Sequence, residues 1–506
     1  MIQQDLYVYN SLTRQRERFS AIEPPHVGMY VCGPTVYGDP HLGHARTALA
    51  FDVVFRHLQA LGYTVRYVRN ITDVGHLEDE AAETGEDKVA KRARLERIEP
   101  MEVVQRYTLS YHEGIRRLNC LPPSIEPTAS GHIIEQIQVI ERIFDAGLAY
   151  EQDGSVYFDL QTYAKEKEYG KLSGKVLDDL LSNTRGTVGS SDKRSSLDFA
   201  LWKRAEPGHI MRWPSPWGEG FPGWHLECTT MSTKYLGKTF DIHGGGLDLQ
   251  FPHHEAEIAQ NHGAFGTDPA RYWLHSNMLT VGGQKMAKSL GNFITLEQMY
   301  TGEHPELAQA YHPMVLRFFM LQSHYRSTLD FSNEALQAAE KGYVRLMAAV
   351  ERAQAITRES SDRTIPTPQE LGELGSEPLG SEVGAIVSRC WESMNDDFHT
   401  PRAIAALFDL ARLMQSDEFA TNSDHLRQVA ARGMSGFANQ ILGLQPRDEA
   451  TGERSLDGVM NLLLQLRREA RDRKDYATSD TIRDELSRQG IRLEDRKDGT
   501  TTWVKQ

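Results

Sequence analysis

The stretch Met29-Tyr30-Val31-Cys32-Gly33-Pro34-Thr35-Val36-Tyr37-Gly38-Asp39-Pro40-His41-Leu42-Gly43-His44, followed on to Ile71, decides the fold. Met29 to Val31 is an apolar run closed by Gly33-Pro34, the pattern of a buried strand that ends in a turn. From His44 to Leu61, the residues Ala48, Leu49, Phe51, Val54, Phe55 and Leu58 recur near helical spacing, and Gly62 supplies the stop. Thr64 to Ile71 reads as a second strand. Strand, helix and strand within about 45 residues form a βαβ unit, which predicts a parallel sheet.

The connection between the first strand and the helix is the first place where chemistry collects. Backbone N–H groups and the helix dipole favour phosphate at a helix N-terminus. The turn from Gly33 and Pro34 to Gly43 and His44 is therefore a candidate ATP-binding element, and Gly43 would let a flat nucleotide approach the backbone. His41 and His44 can donate hydrogen bonds to phosphate oxygens as charge develops at the α-phosphorus. The plainer reading is that both histidines cap the helix. A second motif, Lys285-Met286-Ala287-Lys288-Ser289, follows Gly282-Gly283 and so lies in a loop. Lys285 and Lys288 there can clamp a triphosphate and neutralise departing pyrophosphate; two lysines in a loop are also ordinary solvated surface. Taken together the two motifs predict an ATP-using enzyme that adenylates a small substrate.

A third constellation has the donor types of a metal site. Cys32 ends the first strand, Cys228 closes Pro222-Gly223-Trp224-His225-Leu226-Glu227-Cys228, and His253 and Glu257 lie in Phe251-Pro252-His253-His254-Glu255-Ala256-Glu257. The i, i+4 spacing puts His253 and Glu257 on one helix face. Two thiolates, an imidazole and a carboxylate suit tetrahedral Zn²⁺. His254 is a rival ligand that spacing does not exclude, and two buried core cysteines are the alternative without a metal.

Outside these motifs the chain organises itself by composition. With 506 residues it is expected to hold two to four domains. Residues 1–120 are read as the first half of a Rossmann-like catalytic domain, 121–205 as a connective insertion, and 206–300 as the second half with the metal site and the lysine loop. Within the insertion, Ile133–Ala146 is helical, Gly154–Leu160 hairpin-like, and Ser182–Ser196 a polar loop. A helical region follows at 301–356, a Pro/Gly/Ser-rich linker at 357–382, a helical bundle at 383–445 and a small C-terminal domain at 446–506. The last of these is predicted to hold a long charged helix, a second helix near Thr478–Gln489 and a strand-like tail ending at Trp503.

Four cysteines are too few for a secreted disulfide framework and fit a reducing cytosol. The N-terminal residues lack the pattern of a signal peptide, and no apolar run suits a membrane span, so a cytoplasmic protein is expected. The net charge of −14 argues against non-specific nucleic-acid binding while leaving room for a local basic patch.

Taken in order, Tyr30-Val31-Cys32-Gly33-Pro34-Thr35-Val36-Tyr37, Pro40-His41-Leu42-Gly43-His44, Pro222 to Cys228, Asp241-Ile242-His243-Gly244-Gly245-Gly246, Phe251 to Glu255 and Lys285 to Asn292 resemble the class I aminoacyl-tRNA synthetases and, among them, the cysteinyl-tRNA synthetase family. The resemblance implies one catalytic zinc at Cys32, Cys228, His253 and Glu257. It makes Lys288 an ATP contact and places Trp224 near the amino acid. On that basis His225 and His243 are expected to shape the pocket and Asp248 to hold the α-amino group. The implied partners are L-cysteine, ATP with Mg²⁺, and tRNA(Cys), and a monomer is expected. Because a site that requires a bond to the substrate thiol rejects serine strongly, no editing domain is needed. Arg467, Arg468, Arg471, Arg473 and Lys474 form a basic cluster on a helix, and Trp503 offers a stacking surface; Arg467, Arg471 and Trp503 are the candidate tRNA contacts. A solvated helix is the simpler account of that cluster, since acidic residues interleave with it.

Two departures from the family pattern stand out. Ala287 occupies a place where serine is usual, and Val74-Gly75-His76-Leu77 replaces the commoner acidic continuation after Asn70-Ile71-Thr72-Asp73. Two rivals share part of the pattern: a related ligase that joins cysteine to an amino sugar, and a non-catalytic zinc-binding paralogue. Asp396-Asp397-Phe398-His399-Thr400-Pro401 and the basic C-terminal segment favour tRNA as the acceptor, and the intact histidine and lysine motifs disfavour the paralogue.

Overall fold

The computed structural model describes residues 5–79, 84–176, 193–206, 208–358, 360, 362–447, 460, 463–471, 473, 475–488, 490–495 and 501–505. Two compact units divide the chain, residues 1–445 and 446–506.

The predicted βαβ unit is present. His26–Val31 and Thr64–Arg69 pair in parallel, with Met29 opposite Tyr67. Leu42–Ala60 is the crossover helix, ended by Leu61 and by Gly62 at φ 94°. Its apolar residues point in more than one direction, and Leu42, Leu49, Phe51, Val54 and Leu58 are all buried. Each such side chain contributes about 1.5–3 kcal/mol through burial, so this helix is fixed by packing on both sides rather than by propensity.

Phe240–Gly246 and Ala270–Ser276 complete a four-stranded parallel sheet. The order is Ala270–Ser276, Phe240–Gly246, His26–Val31, Thr64–Arg69. The two halves of the domain therefore meet between His26–Val31 and Phe240–Gly246. In an open parallel sheet a crevice forms beyond the strand ends at such a reversal of order. Cys32, Asn70 and Asn277 lie just past the carboxyl ends of their strands, and of these Cys32 is the candidate that the sequence singles out.

Between the halves sits an antiparallel sheet ordered Gly220–Pro222, Phe199–Arg204, Ser155–Phe158, Ala149–Gln152. The expected hairpin is its last pair, and the expected helix spans Ile133–Asp145. The sheet runs beyond the expected boundary at 205, because the three-residue strand Gly220–Pro222 is too short to leave a periodic trace. Of the predicted polar loop, 182–192 lies outside the described residues.

Helices Pro313–Leu321, Asn333–Ile356, Gly380–Asn395, Thr400–Leu413 and Asp424–Ser435 form the helical part. Arg317, fully buried, ties it to the parallel-sheet domain: it donates to Asp52 at 2.5 Å and to the carbonyls of Leu442 and Leu118 at 2.6 and 2.8 Å. The stretch 357–382 is not wholly a linker, since Pro368–Glu373 is helical and buries Leu371, and Leu374 is buried in the following short helix Leu374–Ser376. The C-terminal unit holds a helix over residues 463–471, the helix Tyr476–Arg488, and a hairpin of Ile491–Asp495 with Thr501–Lys505 in place of a single strand-like tail. Met460, Leu486 and Ile491 make its small core, with Trp503 packed on it. Among the described residues no helix is long and apolar enough to cross a membrane.

Candidate active site and metal centre

Cys32 N–H donates to Gly244 O at 3.0 Å, which adds one rung past the end of the first strand and fixes the thiol at the rim of the crevice. Cys228 comes from the first turns of the helix Trp224–Leu236, and His253 and Glu257 from the helix His253–Phe265. The four donor atoms lie within 4.8 Å of one another. Around the ring, Cys32 Sγ to Cys228 Sγ is 3.6 Å, Cys228 Sγ to His253 Nε2 3.4 Å, His253 Nε2 to Glu257 Oε1 3.2 Å and Glu257 Oε1 to Cys32 Sγ 3.8 Å. Bonds of about 2.3 Å to sulfur and about 2.0–2.2 Å to nitrogen or oxygen place tetrahedral zinc ligands ~3.3–3.8 Å apart. The donor set and its spacing fit zinc.

Burial pushes the thiols of Cys32 and Cys228 up and holds the His253 imidazole neutral by lowering its pKa well below the usual range. A neutral imidazole is already a competent ligand, while the thiols need a nearby divalent charge to ionise. Behind the ring, His225 Nδ1 is 3.0 Å from His253 Nδ1, and His243 Nε2 donates to Glu257 Oε2 at 2.8 Å. These contacts orient two of the four donors.

The rival His254 has Nε2 at 3.3 Å from Cys32 Sγ and 4.0 Å from Glu257 Oε1. It belongs to a second possible group, Cys32, His243, His254 and Glu257, which contains one thiol only. Its Nδ1 contacts His275 Nε2 at 2.9 Å, and His275 Nδ1 contacts Ser11 Oγ at 2.8 Å. Cys32, Cys228 and His253 line the adjoining cleft of about 390 Å³, and His254 does not figure among its described lining residues. Three of the four donors of the two-thiol set thus face the cleft.

At the end of the cleft beside the crossover helix, the histidine motif forms the cap that the plainer reading expects. His41 Nδ1 accepts from Gly43 N–H at 3.1 Å, and His44 Nδ1 accepts from His41 N–H at 3.4 Å, a reciprocal cap on the helix. The rings stack with centroids 3.8 Å apart. Because each Nδ1 accepts, each Nε2 carries the proton. Capping thus fixes the tautomer in which both rings donate through Nε2. Burial lowers the pKa of His41 to about 2 and of His44 to about 4, so both donors are neutral. A Cβ on Gly43 would come within 2.9 Å of the His41 ring, so this position admits no side chain while the cap holds.

Gly33, Pro34, Gly43, Lys285, Lys288, Trp224 and Asp248 all line the same cleft as His41 and His44. Gly33 N–H donates to Asn70 Oδ1 at 2.8 Å. Lys288 Nζ lies 5.1 Å from the centre of the Phe293 ring. Asn292 Oδ1 accepts from Ala287 N–H at 2.8 Å, a backbone contact that is indifferent to alanine or serine there.

Three of the expected contacts are placed differently from the others. His225 and His243 do not line the cleft among its described residues, because each is turned toward a metal-site donor on the helix behind it. Arg467 is buried, so its side chain is not presented as a surface contact, whereas Arg471 is exposed and Trp503 half-buried. Lys474 lies outside the described residues. Sequence reasoning gave no role to Thr35, Asn70, Thr72, His76 and Lys88, which also line the cleft. The departure at Val74–Leu77 was the one signal pointing toward His76.

The fold and the site define a class of enzyme, the class I aminoacyl-tRNA synthetases. Residues 18–341 match the family described as tRNA synthetases class I (C) catalytic domain, residues 391–444 the DALR domain, and residues 453–503 the cysteinyl-tRNA ligase anticodon binding domain. Solved structures share the fold: methionyl-tRNA synthetase of Mycobacterium tuberculosis with methionyl-adenylate, at TM-score 0.55 and 15% identity over 87% of this chain and 94% of that one, and a leucyl enzyme of Agrobacterium radiobacter in a ternary complex with tRNA, at TM-score 0.58 and 12% identity over 84% and 85%. Proteins named cysteine–tRNA ligase from Bacteroides fragilis and Porphyromonas gingivalis are each 54% identical over 98% of this chain, covering 99% and 98% of their own lengths. That of Cytophaga hutchinsonii is 53% identical over 99% of both chains. The chain belongs to the cysteine–tRNA ligase family and is a ligase.

Proposed function

We propose that the protein joins L-cysteine to ATP as cysteinyl-adenylate and then transfers the cysteinyl group to the 3′ end of tRNA(Cys). The observation that carries this reading is the ring of Cys32, Cys228, His253 and Glu257 at tetrahedral spacing, opening on the cleft that also holds His41, His44, Lys285 and Lys288. A zinc ion bound by those four residues would take the substrate thiol as thiolate, which a serine hydroxyl matches poorly.

The cysteine carboxylate attacks the α-phosphorus of ATP, and the bond to the bridging oxygen of the β-phosphate breaks. His41 and His44 donate through Nε2 to the α-phosphate oxygens as charge builds there. Lys285 and Lys288 neutralise the leaving pyrophosphate, with Mg²⁺ accompanying ATP. Trp224 bounds the amino acid and Asp248 receives its α-amino group. A ribose hydroxyl of the terminal adenosine then attacks the carbonyl carbon, and AMP leaves. Arg471 and Trp503, in the unit that matches an anticodon-binding family, are the candidate RNA contacts.

The experiment is cysteine-dependent exchange of pyrophosphate into ATP by folded, zinc-loaded protein. Its absence overturns the reading. Transfer of cysteine to a glucosamine conjugate rather than to tRNA would replace the acceptor, against which the matched anticodon-binding segment speaks.

A further inference from the structure

The segment that departs from the family pattern builds a contact between a hairpin and the cleft. Leu77–Asp79 pairs with Thr84–Asp87, with Leu77 opposite Asp87. His76 and Lys88 are the next residues outward, and Lys88 N–H donates to His76 O at 2.9 Å. Asp87 locks this base: its carboxylate accepts from Gly75 N–H at 2.9 Å and from Val89 and Ala90 N–H at 2.9 and 3.0 Å. Gly75 has φ 85°, and a Cβ there would lie 2.8 Å from Pro222 O. The turn is therefore pressed against the segment leading into Trp224.

As a result the His76 ring stacks on the Trp224 indole, centroids 4.6 Å apart and planes within 10°. Trp224 in turn stacks on His253 at 4.6 Å. His76 Nε2 is 3.1 Å from Lys88 Nζ and Nδ1 is 2.6 Å from Thr35 Oγ1. A lysine ammonium only donates, so Nε2 accepts and Nδ1 carries the proton. Nδ1–H then donates to Thr35, which leaves the hydroxyl proton of Thr35 free to point elsewhere. Thr35, His76, Trp224, Cys32 and His253 share the cleft.

We propose that His76 is a positioning residue for the amino acid: it sets the Trp224 indole and turns the Thr35 hydroxyl into a donor toward the substrate. This rests on the reading that cysteine is the substrate. A histidine that only fills the core would matter to stability and not to substrate affinity.

The test uses the full-length, zinc-loaded protein with His76→Phe, which keeps a ring and loses both hydrogen bonds, and His76→Ala, which loses the ring as well. The readouts are KM for cysteine and for ATP in pyrophosphate exchange, zinc content and melting temperature. His76→Phe is expected to raise the cysteine KM about tenfold, the scale of one buried hydrogen bond, with ATP KM and zinc content unchanged. His76→Ala is expected to raise it further; if that variant does not fold, His76→Phe carries the test alone. A folded, zinc-loaded His76→Phe with the unmutated cysteine KM overturns the proposal, whether or not its melting temperature falls. So does an equal rise in both KM values. Absence of exchange in the unmutated protein instead overturns the activity on which the proposal rests.

Discussion

Replacing His243 by phenylalanine separates two roles for a residue that the sequence suggested as a pocket wall. His243 is fully buried on the strand Phe240–Gly246, with its ring stacked on Trp273 at 4.4 Å and 13°. Its Nε2–H donates to Glu257 Oε2 at 2.8 Å, while the other oxygen of Glu257 faces His253 and Cys32. Phenylalanine keeps the ring and the stack and removes the donor. Losing such a supporting contact typically weakens a metal site 10- to 100-fold, which is about 1.4–2.7 kcal/mol. The assay is titration of metal-free protein with zinc against a competing chelator, together with KM for cysteine in exchange. The expected result is one site per chain with its Kd raised within that range. Unchanged zinc affinity with a raised cysteine KM would refute the reasoning and return His243 to the pocket wall. Complete loss of zinc binding by folded protein would make His243 a ligand and favour the set that includes His254.

Other perturbations test other parts of the site. His44→Ala removes a donor to the developing charge and half of the helix cap; exchange is expected to fall about 100- to 1,000-fold while stability falls by only about 1 kcal/mol. Loss of stability without that loss of rate would reduce the pair to caps. His57, fully buried and donating to Asn395 Oδ1 at 2.8 Å, has its pKa lowered by burial to about 4. The unfolded chain protonates first as pH falls, so this contribution is complete above about pH 6.5 and is lost on the way down to pH 4, the loss having reached about 2 kcal/mol at pH 5. Denaturation curves at pH 7 and pH 5 should show that extra loss in the unmutated protein and not in His57→Gln; parallel losses would contradict it. Ending the chain at Gln445, the last residue of the first compact unit, should spare cysteine-dependent exchange and abolish charging of tRNA. Equal loss of both would contradict that division of labour.

How much of this was legible in the sequence follows from how each signal is encoded. The strand, turn and helix from Met29 to Leu61 could be read because periodicity and Gly62 are local. The grouping of Cys32, Cys228, His253 and Glu257 could be read because two of them are fixed by i, i+4 spacing and the cysteines are few. The direction of His243 could not, since all seven residues of Phe240–Gly246 are buried and offer no alternation of faces. The burial of Arg467 is hidden for a similar reason: nothing in a run of charged residues distinguishes it, yet it is buried together with Ala470 one turn on. Leu371 and Leu374 are two apolar residues within a run of glycine, proline and glutamate, too sparse to announce the helical turns they anchor. His76 acquires its place only through pairing of Leu77 with Asp87 and the cap at Asp87, contacts that no spacing rule exposes.

The central claim is that two thiols, an imidazole and a carboxylate hold a zinc ion that selects cysteine. The most direct measurement is the zinc content of the purified protein and of Cys228→Ser, each paired with pyrophosphate exchange driven by cysteine or by serine. The account predicts one zinc per chain and exchange with cysteine alone, both lost together in folded Cys228→Ser. Full cysteine-dependent exchange by zinc-free protein, or by Cys228→Ser without zinc, would contradict it.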